Sequence, residues 1–295
     1  MVVEPRHAYA TLGLRLAGLA LSFSVLVGAQ GAAWAADGKL DEIKKRGHMI
    51  AGVRIESSRF GALDTKTNEI KGFDVDIINA VSRVILGNAK PVELVSVTSQ
   101  NRITQLNTDR VDALAATVTI SQQRMREIAY SNVYLRVGQS LLVRKDSTIQ
   151  SYKDLSKRKV CATTGSTPAQ TIRKMVADAE ILNFTTDSEG FLALKAKRCE
   201  AYTTGYLLLM DMEQSDPNMK IVGGKFTFEA WGIGVKAGND SLVTAINDAL
   251  AKIKASGEYA SIYKKWLDTT LPDDFDSWYG MAPAEAAKRF AESAQ

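Results

Sequence analysis

The stretch Phe73-Asp-Val-Asp-Ile-Ile-Asn-Ala-Val-Ser-Arg-Val-Ile-Leu86, closed by Gly87, decides the fold class. Its apolar residues recur at the spacing of an amphipathic helix, and Gly87 supplies the stop. Residues 48–54 before it and 92–97 after it read as strands, so the unit is strand, helix, strand. The alternation continues with a short helix over 101–107, a strand over 113–118 and a helix over 122–128 entered through Ser121 as its cap. Such a series demands a parallel or mostly parallel sheet flanked by helices. A second series begins with a strand at 160–163 and a helix from Pro168, capped by Thr167. A strand at 184–186, a helix at 190–196, a strand at 201–204 and a helix at 207–213 complete it. These are two α/β units, not one long sheet. The helical tail 241–268 cannot bury its own apolar face and is expected to pack on the first unit. The extended runs 137–143 and 231–235 are candidates for two crossings between the units, which make a hinge.

The first 35 residues read as an address. Arg6 and Arg15 give a positive start, residues 16–27 are apolar, and Ala33-Trp34-Ala35 offers a small-x-small cleavage site before Ala36. Twelve apolar residues are too few to span a bilayer, and no cysteine follows to carry a lipid. The expected organisation is therefore a signal peptide at 1–35, a first lobe at 36–135, a second lobe at 136–233, and a return to the first lobe at 234–295. The expected location is the periplasm. Removing Arg6, Arg15 and Glu4 leaves 35 basic and 32 acidic side chains with no basic run, which argues against a nucleic-acid partner.

Both cysteines, Cys161 and Cys199, lie after the cleavage site, and export is the setting in which a disulfide persists. Each opens a short apolar run that reads as a buried strand, and adjacent parallel strands would bring them together. Two buried thiols are the alternative. With His48 as the one histidine of the mature chain and no Cys-x-x-Cys pair, neither a metal nor another cofactor is expected.

Three arginines sit in turn-rich segments: Arg54 in Gly52-Val-Arg-Ile-Glu-Ser-Ser-Arg-Phe60, Arg102 in Val97-Thr-Ser-Gln-Asn-Arg102, and Arg124 in Thr117-Val-Thr-Ile-Ser-Gln-Gln-Arg124. Small hydroxyl and amide residues surround each, the company in which a guanidinium grips a carboxylate. A single loop arginine is ordinarily a solvated charge. Three of them beyond the carboxyl ends of strands, where open α/β sheets bind ligands, point to a small anion with more than one carboxylate.

Gly72-Phe-Asp-Val-Asp76, residues 106–112, Thr119-Ile-Ser-Gln-Gln-Arg124, Tyr130-Ser-Asn-Val-Tyr134, Thr164-Gly-Ser-Thr167 and Gly257-Glu-Tyr-Ala-Ser-Ile-Tyr-Lys-Lys-Trp266 together resemble the periplasmic amino-acid-binding proteins of ABC importers. The resemblance covers almost the whole mature chain, in order. It implies a two-lobed type II periplasmic-binding fold, a monomer that is not an enzyme, and a membrane permease as partner. Gly52-Val-Arg54 and Thr98-Ser-Gln-Asn-Arg102 most resemble glutamate/aspartate-binding proteins, while the cysteine pair resembles the general L-amino-acid-binding proteins. By this resemblance Arg124 holds the ligand α-carboxylate beside Thr117 and Thr119, and Arg54, Ser99 and Arg102 read a distal carboxylate. Ser166 and Thr167, at a helix start, would donate to the ligand from the second lobe, a role compatible with capping.

The chain departs from the family at one position of that site. Where the family pattern Arg-x-Asp-Ala-x-x-x-Asp ends in an acid for the ligand ammonium, this chain reads Arg198-Cys-Glu-Ala-Tyr-Thr-Thr-Gly205. An acidic amino acid is the expected ligand. An amine-free dicarboxylate is the alternative, unless Glu56, Tyr202 or Tyr206 supplies the missing partner. A dehydratase, known on the same fold, is the remaining reading, but no Gly-x-Ser-x-Gly elbow or carboxylate pair supports it.

Overall fold

The computed structural model describes residues 38–87 and 90–295, so the leader expected at 1–35 lies outside the described residues. Two five-stranded sheets form the two lobes. The first runs in the order Glu93–Ser96, Ile50–Val53, Ala113–Leu114, Gly234–Lys236, Ile128–Tyr130; the second runs Glu180–Phe184, Lys159–Thr163, Ala201–Gly205, Gln139–Arg144, Met219–Val222. In each sheet one strand opposes the other four: Gly234–Lys236 in the first and Gln139–Arg144 in the second. These are the strands the chain enters on arriving from the other lobe. They start at the cleft and run away from it, whereas the parallel strands end there.

The helix Phe73–Leu86 forms as its periodicity predicts. Ile77, Ile78 and Val81 are fully buried, each contributing about 1.5–3 kcal/mol by leaving water. Gly87, at φ 62°, ends it with its N–H on the Arg83 carbonyl at 2.8 Å. Its first amides are met by a small three-stranded sheet at 56–71, which the apolar pattern does not reveal: Phe73 and Asp74 donate to the carbonyls of Arg59 and Phe60. The tail packs against this helix as expected, but as two helices, Asp240–Ala255 and Glu258–Leu267, broken at Gly257 with φ 78°.

Several expected boundaries move. The helix over 122–128 is one 3₁₀ turn, Arg124–Arg126, because Ile128 is drawn into the sheet edge. The cap of the helix Thr167–Met175 is Ser166, not Thr167; proline at the second helical position shifts the start by one. The helix expected at 190–196 begins at Asp187, where Thr186 and Glu189 form a reciprocal capping box. The chain crosses between lobes just before the run expected at 137–143 and at the start of the one expected at 231–235. Leu135–Arg136 pairs with Ala230–Trp231, and the next residues already belong to the sheets. Gly138, at φ 88°, takes the turn; a Cβ there would lie 2.8 Å from the Thr227 carbonyl.

Cys161 and Cys199 form the disulfide, with Cα atoms 5.8 Å apart. Lys159–Thr163 and Ala201–Gly205 are adjacent parallel strands, and the bridge packs in the apolar layer on one face of the second sheet.

A charged cavity between the two lobes

The carboxyl ends of both sheets face one cavity of about 20 Å³, lined by Arg54, Ser99, Arg102, Thr117 and Thr119 from the first lobe, Ser166, Thr167 and Gly205 from the second, and Glu229 and Trp231 from the crossing. Pro168, Asp187, Thr204 and Leu208 complete the wall. Eight of the nine residues expected at the site therefore converge. Arg124 does not line this cavity; its guanidinium lies beside it, donating to the Thr119 carbonyl at 3.2 Å and, across the cleft, to the Gly165 carbonyl at 2.8 Å. Gly165 itself lets the Ser99–Gln100 backbone of the opposite lobe come close, since a Cβ there would sit 2.6 Å from the Ser99 carbonyl. A volume of this size holds roughly one water. An amino acid needs the lobes to part and close again around it.

The arginines differ in how their charge is met. Arg54 donates to Glu56 at 2.6 Å and, across the cleft, to Asp187 at 2.8 Å. Burial works against its charge, but the two carboxylates outweigh burial and raise its pKa. Asp187 also accepts from Tyr202 at 2.6 Å and from Thr163; against the burial penalty, Arg54 and these hydroxyls hold its carboxyl below the usual range. Arg102 is 2% exposed yet has no carboxylate partner among the described residues. One nitrogen donates to the carbonyls of Ala116 (2.5 Å) and Thr117 (3.1 Å), and Nε is unbonded. Burial first, then repulsion from Arg124 and Arg54, pushes its pKa well below the ordinary arginine value. Glu229 is the converse: Oε1 accepts from Thr119 and from Thr167 (3.2 Å), while Oε2 is buried and unbonded.

Thr117 lies at φ 52°, a left-handed conformation unfavourable for a β-branched residue. Asp74 holds it there by accepting its N–H at 2.9 Å. Burial raises the Asp74 pKa to about 6, against the hydrogen bonds from Tyr134 (2.8 Å) and Thr117. At the rim, Asp211 of the second lobe accepts from Arg59 and from Ser58 (2.5 Å) of the first.

Gly205 has φ −61°, which any residue adopts. A Cβ there would be tight, 3.1 Å from Val137 Cγ1 and 3.4 Å from Leu208 Cδ1, so a side chain needs a small shift of those methyl groups. Glu56, Tyr202 and Tyr206 do not line the cavity. Glu56 binds Arg54, Tyr202 binds Asp187 and Thr163, and the Tyr206 ring faces Lys225 at 4.8 Å. Sequence reasoning missed Asp187, Glu229 and Asp74. Asp187 had a local signal, the capping box around it, and Asp74 lies in the stretch Gly72-Phe-Asp-Val-Asp76 that carries the resemblance.

Similarity to known proteins agrees with this architecture. Residues 49–269 match the model of the bacterial extracellular solute-binding proteins, family 3. An ABC transporter glutamine-binding protein of Bacillus subtilis (strain 168) is 40% identical over 229 residues, 77% of this chain and 84% of that protein. The glutamate/aspartate import solute-binding protein of Escherichia coli (strain K12) is 28% identical over 88% of this chain and 90% of its own length. Among solved structures, an ancestral amino-acid-binding protein described as a precursor of cyclohexadienyl dehydratase superposes with a TM-score of 0.71 at 28% identity, covering 77% of this chain and 98% of that one. The chain belongs to the bacterial extracellular solute-binding proteins, family 3.

Proposed function

We propose that this protein captures an acidic amino acid, glutamate or aspartate, in the periplasm and delivers it to the permease of an ABC importer, acting as a monomer. The reading rests on the unpaired charges around the cavity. Arg54 is neutralised by Glu56 and Asp187, and among the described residues Arg102 and Arg124 have no carboxylate and Glu229 has no cation. Two carboxylates and one ammonium complement that set. Arg124 and Trp231, whose buried indole N–H is unbonded, serve the α-carboxylate; Arg102 and Ser99 read the distal one; Thr117 and Thr119 fix the frame. Thr167 and Ser166 contribute from the second lobe, so the ligand binds both lobes only when they close, and binding shifts the protein towards the closed form that the permease engages.

A second reading, glutamine, draws on the Bacillus subtilis relative and on the internal neutralisation of Arg54, which removes one carboxylate reader. A thermal-shift screen of glutamate, aspartate, glutamine, glutarate and succinate separates the candidates, because a ligand of the folded state stabilises it by an amount that grows with the logarithm of the ratio of ligand concentration to Kd. Glutamate or aspartate should give the largest shift. A larger shift with glutamine favours the second reading, and one with glutarate or succinate overturns the amino-acid class.

A further inference from the structure

We propose that Glu229 takes the ligand's ammonium group, so that a carboxylate on the crossing between the lobes, rather than one at the end of the strand Ala201–Gly205, selects amino acids over amine-free acids. The inference rests on the amino-acid reading above. Glu229 is 4% exposed and lines the cavity. Oε1 is satisfied by Thr119 and Thr167, and Oε2 is buried without a partner. A buried carboxylate with neutral partners and an open lone pair is costly unless a cation completes it. No lysine or arginine among the described residues bonds to it; Arg102 feels its field from a distance. Asp187, the other carboxylate on the wall, is already committed to Arg54, Tyr202 and Thr163. Gly205 offers none. Glu229 is thus the wall carboxylate with an oxygen left for a donor.

Its place in the chain adds a consequence. The two hydroxyls that orient Glu229 come from opposite lobes, Thr119 from the first and Thr167 from the helix Thr167–Met175 of the second. Opening the cleft removes one of them and admits water to the carboxylate, which weakens its hold on an ammonium. Recognition of the amine and closure are therefore coupled through one side chain.

Calorimetry on Glu229→Gln with a matched pair, L-glutamate and its deaminated analogue glutarate, tests this. Glutamate should lose about 30-fold or more in affinity, as expected for one member of a desolvated charge pair, while glutarate stays within threefold or binds more tightly. Equal loss for both, or no loss for glutamate, overturns the assignment. If wild-type protein prefers glutamine, the acidic reading fails while this one is decided by the same comparison between glutamine and its deaminated monoamide. A wild type that binds no amino acid better than its deaminated analogue also overturns it. Should the variant not fold, a crystal structure of the wild-type complex decides: the ammonium nitrogen within about 3.2 Å of Glu229 supports the assignment, and an ammonium held by another carboxylate ends it.

Discussion

Replacing Arg102 by Met separates the cost of a buried cation from its use. In the protein by itself, the guanidinium has lost its water and gained bonds from one nitrogen to the Ala116 and Thr117 carbonyls and a long one, 3.5 Å, to the Thr117 hydroxyl. Hydrogen bonds from a charged donor are worth about 1.5–3 kcal/mol each. Against them stand the several kcal/mol needed to desolvate the ion and the repulsion from Arg124 and Arg54. Met fills a similar volume without that penalty, so the two changes nearly cancel. The melting midpoint without ligand should move by only a few degrees, at about 2–4 °C per kcal/mol for a chain of this size. Ligand binding should respond very differently. Loss of a desolvated guanidinium–carboxylate pair costs about 2–5 kcal/mol, a factor of roughly 30 to several thousand. Calorimetry on Arg102→Met should show that loss for L-glutamate, while L-glutamine, which lacks the distal carboxylate, stays within about threefold. Glutamate binding retained within threefold refutes the reasoning. So does a fall of more than ten degrees in the ligand-free midpoint, because Arg102 would then be a structural residue.

Two further outcomes concern stability. The Cys161–Cys199 bridge closes 38 residues and should contribute about 3–4 kcal/mol; a reductant should lower the midpoint of wild type but not of Cys161→Ala/Cys199→Ala, and an unchanged wild-type midpoint with both thiols freed would contradict this. Asp74 titrates at about 6 in the folded protein against about 3.9 when unfolded, so the folded state binds more protons between those values. Its contribution therefore falls as pH rises through that window, by about 2–3 kcal/mol. Asp74→Asn removes the titration, and its midpoint relative to wild type should rise from pH 4 to pH 6; a constant difference would mean that Asp74 is ionised throughout.

What could be read along the chain was whatever is encoded within a few residues. The period of 73–86 and its terminal glycine specify a helix wherever it packs, and strand–helix alternation at 48–97 favours parallel pairing because the crossover helix returns the chain to the end of the sheet at which the first strand began. Arginines among hydroxyls after strands are likewise local patterns, and two of the three, Arg54 and Arg102, line one cavity; the resemblance to a known family supplied the other six expected residues that line it. Boundaries were legible only approximately, since sheet edges compete with helix ends: Ile128 joins a strand that its own neighbours do not favour.

The electrostatic character of the site was not local. Arg54 has a local partner in Glu56, two residues on, but its second carboxylate is Asp187, which lies 133 positions away on the other lobe. Asp187 reads as a polar residue ahead of the helix expected at 190–196, and Glu229 as a polar residue before the extended run at 231–235. Each becomes part of the cavity wall only because the crossing Leu135–Arg136 with Ala230–Trp231 brings two sheets end to end. The sequence alone indicated two α/β units, a candidate cysteine pair and the arginine set; only the tertiary structure decided that the cysteines are joined and which of those charges are already paired. The physical reason is that pairing depends on distance and burial across the cleft, which neighbouring residues do not encode.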